Sequence, residues 1–170
     1  GCYASDWNIP GQHYAAFHRS DRAHAKLLRV DTNAARRHPG VVAVLTGEDI
    51  VKAGYTTPPC NLTFSGKDGQ KALVPQRPAL AHGRVRFVGE ALAIVVATTA
   101  AAAEDAADLI DVEYEELPAY VDPEQSIAHG TARLHDHIPD NQPFEFETGD
   151  AAAVEKAFAE ATHVTRLRVE

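Results

Sequence analysis

Between Arg84 and Leu117 the hydrophobic pattern changes period three times. Arg84–Val88 alternates polar and apolar residues, as a half-buried strand does. Gly89-Glu90 interrupts it where a bulge or turn forms most easily. Ala91–Ala97 is then an unbroken apolar run, which predicts a strand covered on both faces, with Ile94 and Val95 in the core on opposite sides. Across Ala100–Asp111 the period becomes helical. Ala103, Ala106, Ala107 and Ile110 form one stripe, opposite Glu104, Asp105, Asp108 and Asp111. Thr98 or Thr99 is placed to cap that helix. Val112–Leu117 returns to period two, and Pro118 stops it.

The same reasoning divides the rest of the chain. Residues 1–12 form a lead-in that turns at Pro10-Gly11. His13–Ser20 and Ala25–Val30 predict two strands, with Asp21-Arg22 near the turn of a candidate hairpin. A short helix capped by Asp31 or Thr32 runs through Arg37, and Pro39-Gly40 ends it. Val41–Leu45 predicts another buried strand. Thr46 with Asp49 resembles a capping box for a brief helix closed by Gly54. Residues 55–80 form a long loop rich in Pro and Gly, and loops of that length usually bind something or pack on a partner. Residues 130–149 carry no period and predict an extended connector after a domain spanning 13–129. Asp150 caps a last helix whose stripe, Val154, Ala157, Phe158 and Ala161, has the spacing of a core-facing side. His163–Glu170 has a strand pattern that runs to the terminus without a turn signal. With Gly1 as the first residue and no methionine anywhere, that pattern predicts an excised piece, the 150–170 segment ending in a truncated strand.

Composition narrows the function classes. At 170 residues the chain can bury one ordinary core. No apolar run approaches the roughly 18 residues of a membrane span, and the first ten residues lack a signal-peptide pattern. The expected setting is cytoplasmic, without membrane insertion. Cys2 and Cys60 are far apart and outside ligand-like spacing, which argues against a disulfide framework. Residues 1–85 hold 11 Lys/Arg against 6 Asp/Glu, and residues 86–170 hold 5 against 18. An acidic half of that kind argues against a nucleic-acid surface.

Candidate chemistry is sparse. His135-Asp136-His137 could present two imidazoles on one side of an extended segment, but zinc needs three or four converging ligands. His13, His18 and His24 alternate with apolar residues, as structural histidines do. Asp111, Glu113, Glu115 and Glu116 form a carboxylate cluster, of which Glu113 and Glu115 share the face most simply assigned to water. Gly89-Glu90 leaves two readings open. The glycine marks a bulge or a close backbone approach, and Glu90 either bonds locally or reaches a domain interface or channel. No phosphate loop, nucleophile elbow or iron–sulfur motif occurs. No residue is assigned a catalytic, cofactor-binding or metal role.

Three sequence blocks together resemble a known family. Val85–Ala97 followed by the 102–124 block is similar to the α/β-hammerhead domain of molybdenum hydroxylase large subunits, the xanthine dehydrogenase, aldehyde oxidase and carbon monoxide dehydrogenase group. Ala16–Ser20 with Ala23–Ala25, Val30–Thr32 and Pro39–Asp49 resembles the family's opening. Gly149-Asp150 with Ala157–Ala161 resembles the segment leading towards the molybdenum-binding portion. Ala91 stands where the family commonly has proline, and Asp21-Arg22 replaces the usual proline after Arg-Ser. The resemblance implies an α+β hammerhead, a mixed sheet with two main helices packed on it. It implies a structural N-terminal domain of an oxidoreductase acting on an aldehyde, a purine or other heterocycle, or carbon monoxide. It further implies a molybdenum–pterin cofactor held by downstream domains, and 2Fe–2S clusters and FAD in the same polypeptide or in partner subunits. Phe87, Gly89, Glu90, Tyr55 and Phe64 are then the candidate interface residues. Two alternatives come from other classes: a free-standing domain that binds a small ligand or protein through the 55–80 loop, and a metal module built on His135 and His137.

Overall fold

The computed structural model describes the whole chain except residues 2, 4, 5, 56, 60–65, 67, 68, 129 and 170. The strands are β1 (Tyr14–Arg19), β2 (Ala25–Asp31), β3 (Val41–Thr46), β4 (Arg84–Val85), β5 (Ala91–Ala97) and β6 (Asp111–Glu116). The helices are α1 (Asn33–Arg37), α2 (Gly47–Lys52), α3 (Ala100–Asp108), α4 (Pro123–Ser126) and α5 (Ala151–Glu160). The α+β class follows the expectation. The single mixed sheet does not: the strands form two three-stranded sheets, β1-β5-β3 and β4-β2-β6, in which every pairing is antiparallel.

The apolar run 91–97 explains the first sheet. A strand without a polar face is best placed inside a sheet, and β5 lies between β1 and β3; the two-sided cover expected of it is only partly met within this chain. Ala93 and Val95 face α1 and α3, joining Ala35, Val44, Ala106, Ala107 and Ile110 in one cluster. Leu92 points the other way, into a second cluster with Ala25, Ala81 and Val85. Val112 packs against both clusters. Val95 is fully buried and Ile94, on the opposite side, partly so. The alanine stripe of α3 has little side-chain bulk, which lets the helix lie close on β1 and β5.

β1 and β2 do not form the expected hairpin. Each strand finds its partners in a different sheet, β1 beside β5 and β2 between β4 and β6. The link between them lacks the Asn-Gly or Asp-Gly pair of a tight hairpin turn. Instead Ser20 Oγ accepts from the Arg22 N–H at 3.0 Å and donates to the Arg22 carbonyl at the same distance, turning the chain towards the second sheet. β4 is also shorter than predicted, because the Arg86 N–H donates to the Glu90 carboxylate rather than to a ladder.

The caps match their residues. Thr99 Oγ1 accepts from the Ala102 N–H at 3.1 Å, and Thr46 with Asp49 forms a reciprocal capping box. Gly47 follows directly and must be glycine, since a Cβ there would overlap the Ala81 carbonyl oxygen. His18 Nδ1 donates to the Ala107 carbonyl at 2.9 Å, and His24 Nδ1 to that of Pro118 at 2.6 Å. Both fit the structural-histidine expectation. The carboxylates of β6 face water as expected and are answered from β2 and the turn before it. Lys26 meets Glu115 at 2.6 Å, Arg29 meets Glu113 at 3.2 Å, and Arg22 meets Glu116 at 3.0 Å.

Two C-terminal expectations are corrected. No residue of α5 is buried, so its apolar stripe has no cover within this chain. Residues 163–169 form no strand and pair with none of the described strands. Residues 130–143, expected as an extended connector, fold back on the body. Asn141 Nδ2 donates to the Ser126 and Ala132 carbonyls, and its Oδ1 accepts from the Leu134 N–H. Arg86 Nε donates to the Leu134 carbonyl at 2.9 Å. Arg84 pairs with Asp136 at 3.2 Å, and Ile138 is buried.

Two stability predictions follow from this packing. Leu92→Ala should cost about 2–5 kcal/mol in urea unfolding, the range for emptying a closed core site. A cost near that of a surface change would show that the second cluster is not a packed core. His135 is the other case. Burial first, then the charge of Arg86, lowers its pKa to about 4 from 6.5. The unfolded chain then binds more protons than the native one between those values. Stability should therefore be full above pH 6.5 and fall as pH drops towards 4. His135→Asn should flatten that slope in denaturation curves taken across the window, and an unchanged slope would exclude this residue as its source.

Candidate functional site

A hollow of about 690 Å³ lies between three separate segments. One is the turn Phe87–Glu90 with Arg86 and Arg19 beside it. The second is residues 75–79, and the third carries Leu134, His135, Ile138 and Asn141.

Local sequence fixes the turn. The Glu90 N–H donates to the Phe87 carbonyl at 3.3 Å, and Gly89 has φ +88°, where a side chain would be strained. The Gly89 N–H donates to the Ser20 carbonyl at 2.7 Å, and the Ser20 N–H to the Glu90 carbonyl at 2.9 Å. Arg19 Nη1 donates to the Gly89 carbonyl at 2.9 Å. The turn is thus tied to the end of β1 by three bonds. The β1–β5 register also shifts between His18 and Arg19. That shift lies opposite Leu92, whereas Gly89-Glu90, where a bulge or turn was expected, forms the turn.

Glu90 is buried and turns inward, its Oε2 accepting from the Arg86 N–H at 2.6 Å. Burial raises its pKa from the ordinary carboxylate value, opposed by that N–H and by the Arg86 guanidinium. Burial likewise works against the charge on Arg86, with Glu90 opposing. The two therefore stabilise one another behind the turn, while Phe87 at its tip is 57% exposed.

Of the candidate interface residues, the structure brings Phe87, Gly89 and Glu90 to one wall of this cleft. Tyr55 stands apart after α2 and is 69% exposed. Phe64 lies outside the described residues. The sequence reading missed Arg19, Arg77, Arg86 and His135 as neighbours. They come from distant segments, and no spacing in the sequence joins them.

The metal reading does not survive the geometry. Asp136 is engaged by Arg84, His137 Nε2 donates to the Val74 carbonyl at 2.9 Å, and the two imidazoles meet edge to face at 5.9 Å. Among the described residues no group of three His, Cys, Asp or Glu is placed to hold a metal ion.

Comparison with known proteins places this geometry in a family. Residues 1–118 match the family described as aldehyde oxidase and xanthine dehydrogenase, a/b hammerhead domain. The chain is 38% identical over 172 residues to the nicotine 6-hydroxylase large subunit of Paenarthrobacter nicotinovorans, covering 96% of this chain and 19% of that protein. It is 37% identical over 133 residues to the xanthine dehydrogenase molybdenum-binding subunit of Escherichia coli O157:H7, covering 78% of this chain and 17% of that one. The reconstituted CO dehydrogenase from Oligotropha carboxidovorans superposes with a TM-score of 0.76 at 30% identity, over 96% of this chain and 20% of its own. The chain thus spans about one fifth of the length of these relatives. Its fold superposes on theirs, and the chain belongs to the α/β-hammerhead family of aldehyde oxidase and xanthine dehydrogenase.

Proposed function

We propose that this chain is the hammerhead portion of a molybdenum hydroxylase large subunit, acting there as a structural domain. The intact enzyme would oxidise an aldehyde, a purine or other heterocycle, or carbon monoxide. Its molybdenum–pterin cofactor would sit in downstream domains, and 2Fe–2S clusters and FAD in the same polypeptide or in partner subunits. No residue of this chain matches the family's cofactor loops, which supports placing the cofactor in those downstream domains. No catalytic step is assigned to this chain. A cytoplasmic setting belongs to the same proposal. No described helix is long and apolar enough to cross a membrane.

The observation that carries the structural role is the outer face of the first sheet. Phe17 and Leu45 both pair with Ile94 across the ladders, so the three side chains share one face. Phe17 is 45% and Leu45 41% exposed there. Ala15, Ala43 and Val96 extend the same face along the sheet. An apolar sheet face of this kind is what a neighbouring domain covers. The uncovered stripe of α5 and the exposed Phe87 add to it. In the proposed arrangement Phe87, Gly89 and Glu90 stand at such an interface, with Tyr55 and Phe64 as further contacts. A free-standing domain that bound through its 55–80 loop would anchor Tyr55 on its own core, and Tyr55 is exposed instead.

Two outcomes are expected of the purified chain. Elemental analysis should find no stoichiometric molybdenum, and assays with xanthine or an aldehyde and an artificial acceptor should show no turnover; either signal would refute the structural role. Sedimentation over a concentration series should reveal weak self-association through the bare sheet face. Leu45→Asp should suppress it, because a charge in that face opposes its burial. A chain that stays monomeric at every concentration would favour the free-standing reading.

A further inference from the structure

We propose that the cleft between the Phe87–Glu90 turn and residues 75–79 is a binding site for a small organic anion, held by Arg19, Arg77 and Arg86 through a carboxylate or phosphate group. The inference does not depend on the role proposed above, and it starts from an imbalance of charge. Three arginines line the cleft, against the single carboxylate of Glu90. Elsewhere the arginines of this fold are mostly answered: Arg22, Arg29, Arg36 and Arg84 each make an ion pair. Among the described residues, none of the three in the cleft makes one. Arg19 is held by the Gly89 carbonyl and lies 5.2 Å from the Phe17 ring centroid. Arg86 donates Nε to the Leu134 carbonyl. Both are oriented by neutral groups; the Arg86 charge is faced by Glu90, which leaves Arg19 and Arg77 without a carboxylate of their own in the cleft.

Guanidinium groups suit this task because their forked N–H donors match the paired oxygens of carboxylate and phosphate. Gathering several of them without a counter-charge is unfavourable, and an oxyanion between them removes the repulsion. The charges of Arg86 and Arg77 both bear on His135 and help to keep its imidazole neutral. His135 Nδ1 is buried with no partner, so it adds an unused polar atom without adding charge. The remaining walls are apolar, with Phe87, Ile138, Pro75 and Pro78. A volume of about 690 Å³ falls within the range of small-molecule sites. The site therefore suits a ligand with an anionic head and an apolar body.

The test is an NMR titration of the 170-residue chain at low ionic strength, using acetate, inorganic phosphate and phenylacetate as probes. At least one of acetate and phosphate should shift the Arg19, Arg86 and His135 signals saturably, with a Kd of about 10 mM or tighter. Saturation by acetate alone would assign a carboxylate ligand, and by phosphate alone a phosphate ester. Phenylacetate should bind a few-fold tighter than acetate. Arg77→Gln should weaken binding about tenfold. That side chain is exposed and makes no ion pair among the described residues, so its loss should leave the fold intact. Arg37→Gln, an exposed arginine on α1 away from the cleft, should change nothing. The proposal is overturned if no probe saturates, if the shifts spread over the whole basic surface, or if Arg37→Gln weakens binding as much as Arg77→Gln. Equal affinity for acetate and phenylacetate would remove the apolar part of the ligand from it.

Discussion

Everything in this fold depends on the need to cover both sides of β5. Its seven residues, Ala91–Ala97, contain no polar side chain, so each face must meet other apolar atoms or stand bare in water. One face is closed by α3 and α1. The other is closed only at Leu92, by the edge of the second sheet. Beyond Leu92 it shares its exposed side with Phe17 and Leu45. The strand that organises the domain therefore also defines where the domain is unfinished.

The second sheet is held to the first by few elements, and they converge near the Gly89 turn. Ser20 turns the chain from β1 towards β2, and its backbone bonds to Gly89 and Glu90 fix the turn against the end of β1. Glu90 then closes on the Arg86 N–H, which ends β4 after two residues. Shortening β4 leaves room for residues 134–143 to dock through Arg86 and Ile138. The cleft is the space left between these pieces. Its position is a by-product of how the sheets are joined, which is a common place for a binding site to arise.

Charge is handled in two ways across the surface. On β2 and β6 every basic residue has an acidic neighbour across the ladder, and such exposed pairs contribute little to stability while keeping the face soluble. Around the cleft the arginines instead bond to backbone carbonyls of Gly89 and Leu134. A carbonyl orients a guanidinium without neutralising it. Only Glu90 faces them with a carboxylate, on the side of Arg86.

Local pattern made the elements legible. The unbroken run 91–97, the alanine stripe of α3, the Thr46–Asp49 capping box and the glycine turn at 89 each follow from interactions within a few residues. Those are the interactions that a sequence encodes directly. Two of the blocks carrying the family resemblance, Val85–Ala97 with residues 102–124 and Pro39–Asp49, lie on these same elements. The readings that failed all required knowledge of distant partners. The β1–β2 hairpin gave way because β5 offered β1 a better-buried neighbour. The stripe of α5 has the spacing of a core helix, yet nothing in this chain covers it. Residues 130–143 lack any period because single side chains such as Asn141 and Ile138 hold them in place. The arginine cleft was invisible for the same reason: Arg19, Arg77 and Arg86 are distant in sequence and meet only where the two sheets join. Short-range periodicity thus set the elements and the family, while long-range pairing alone decided which surfaces were closed and which charges were left unanswered.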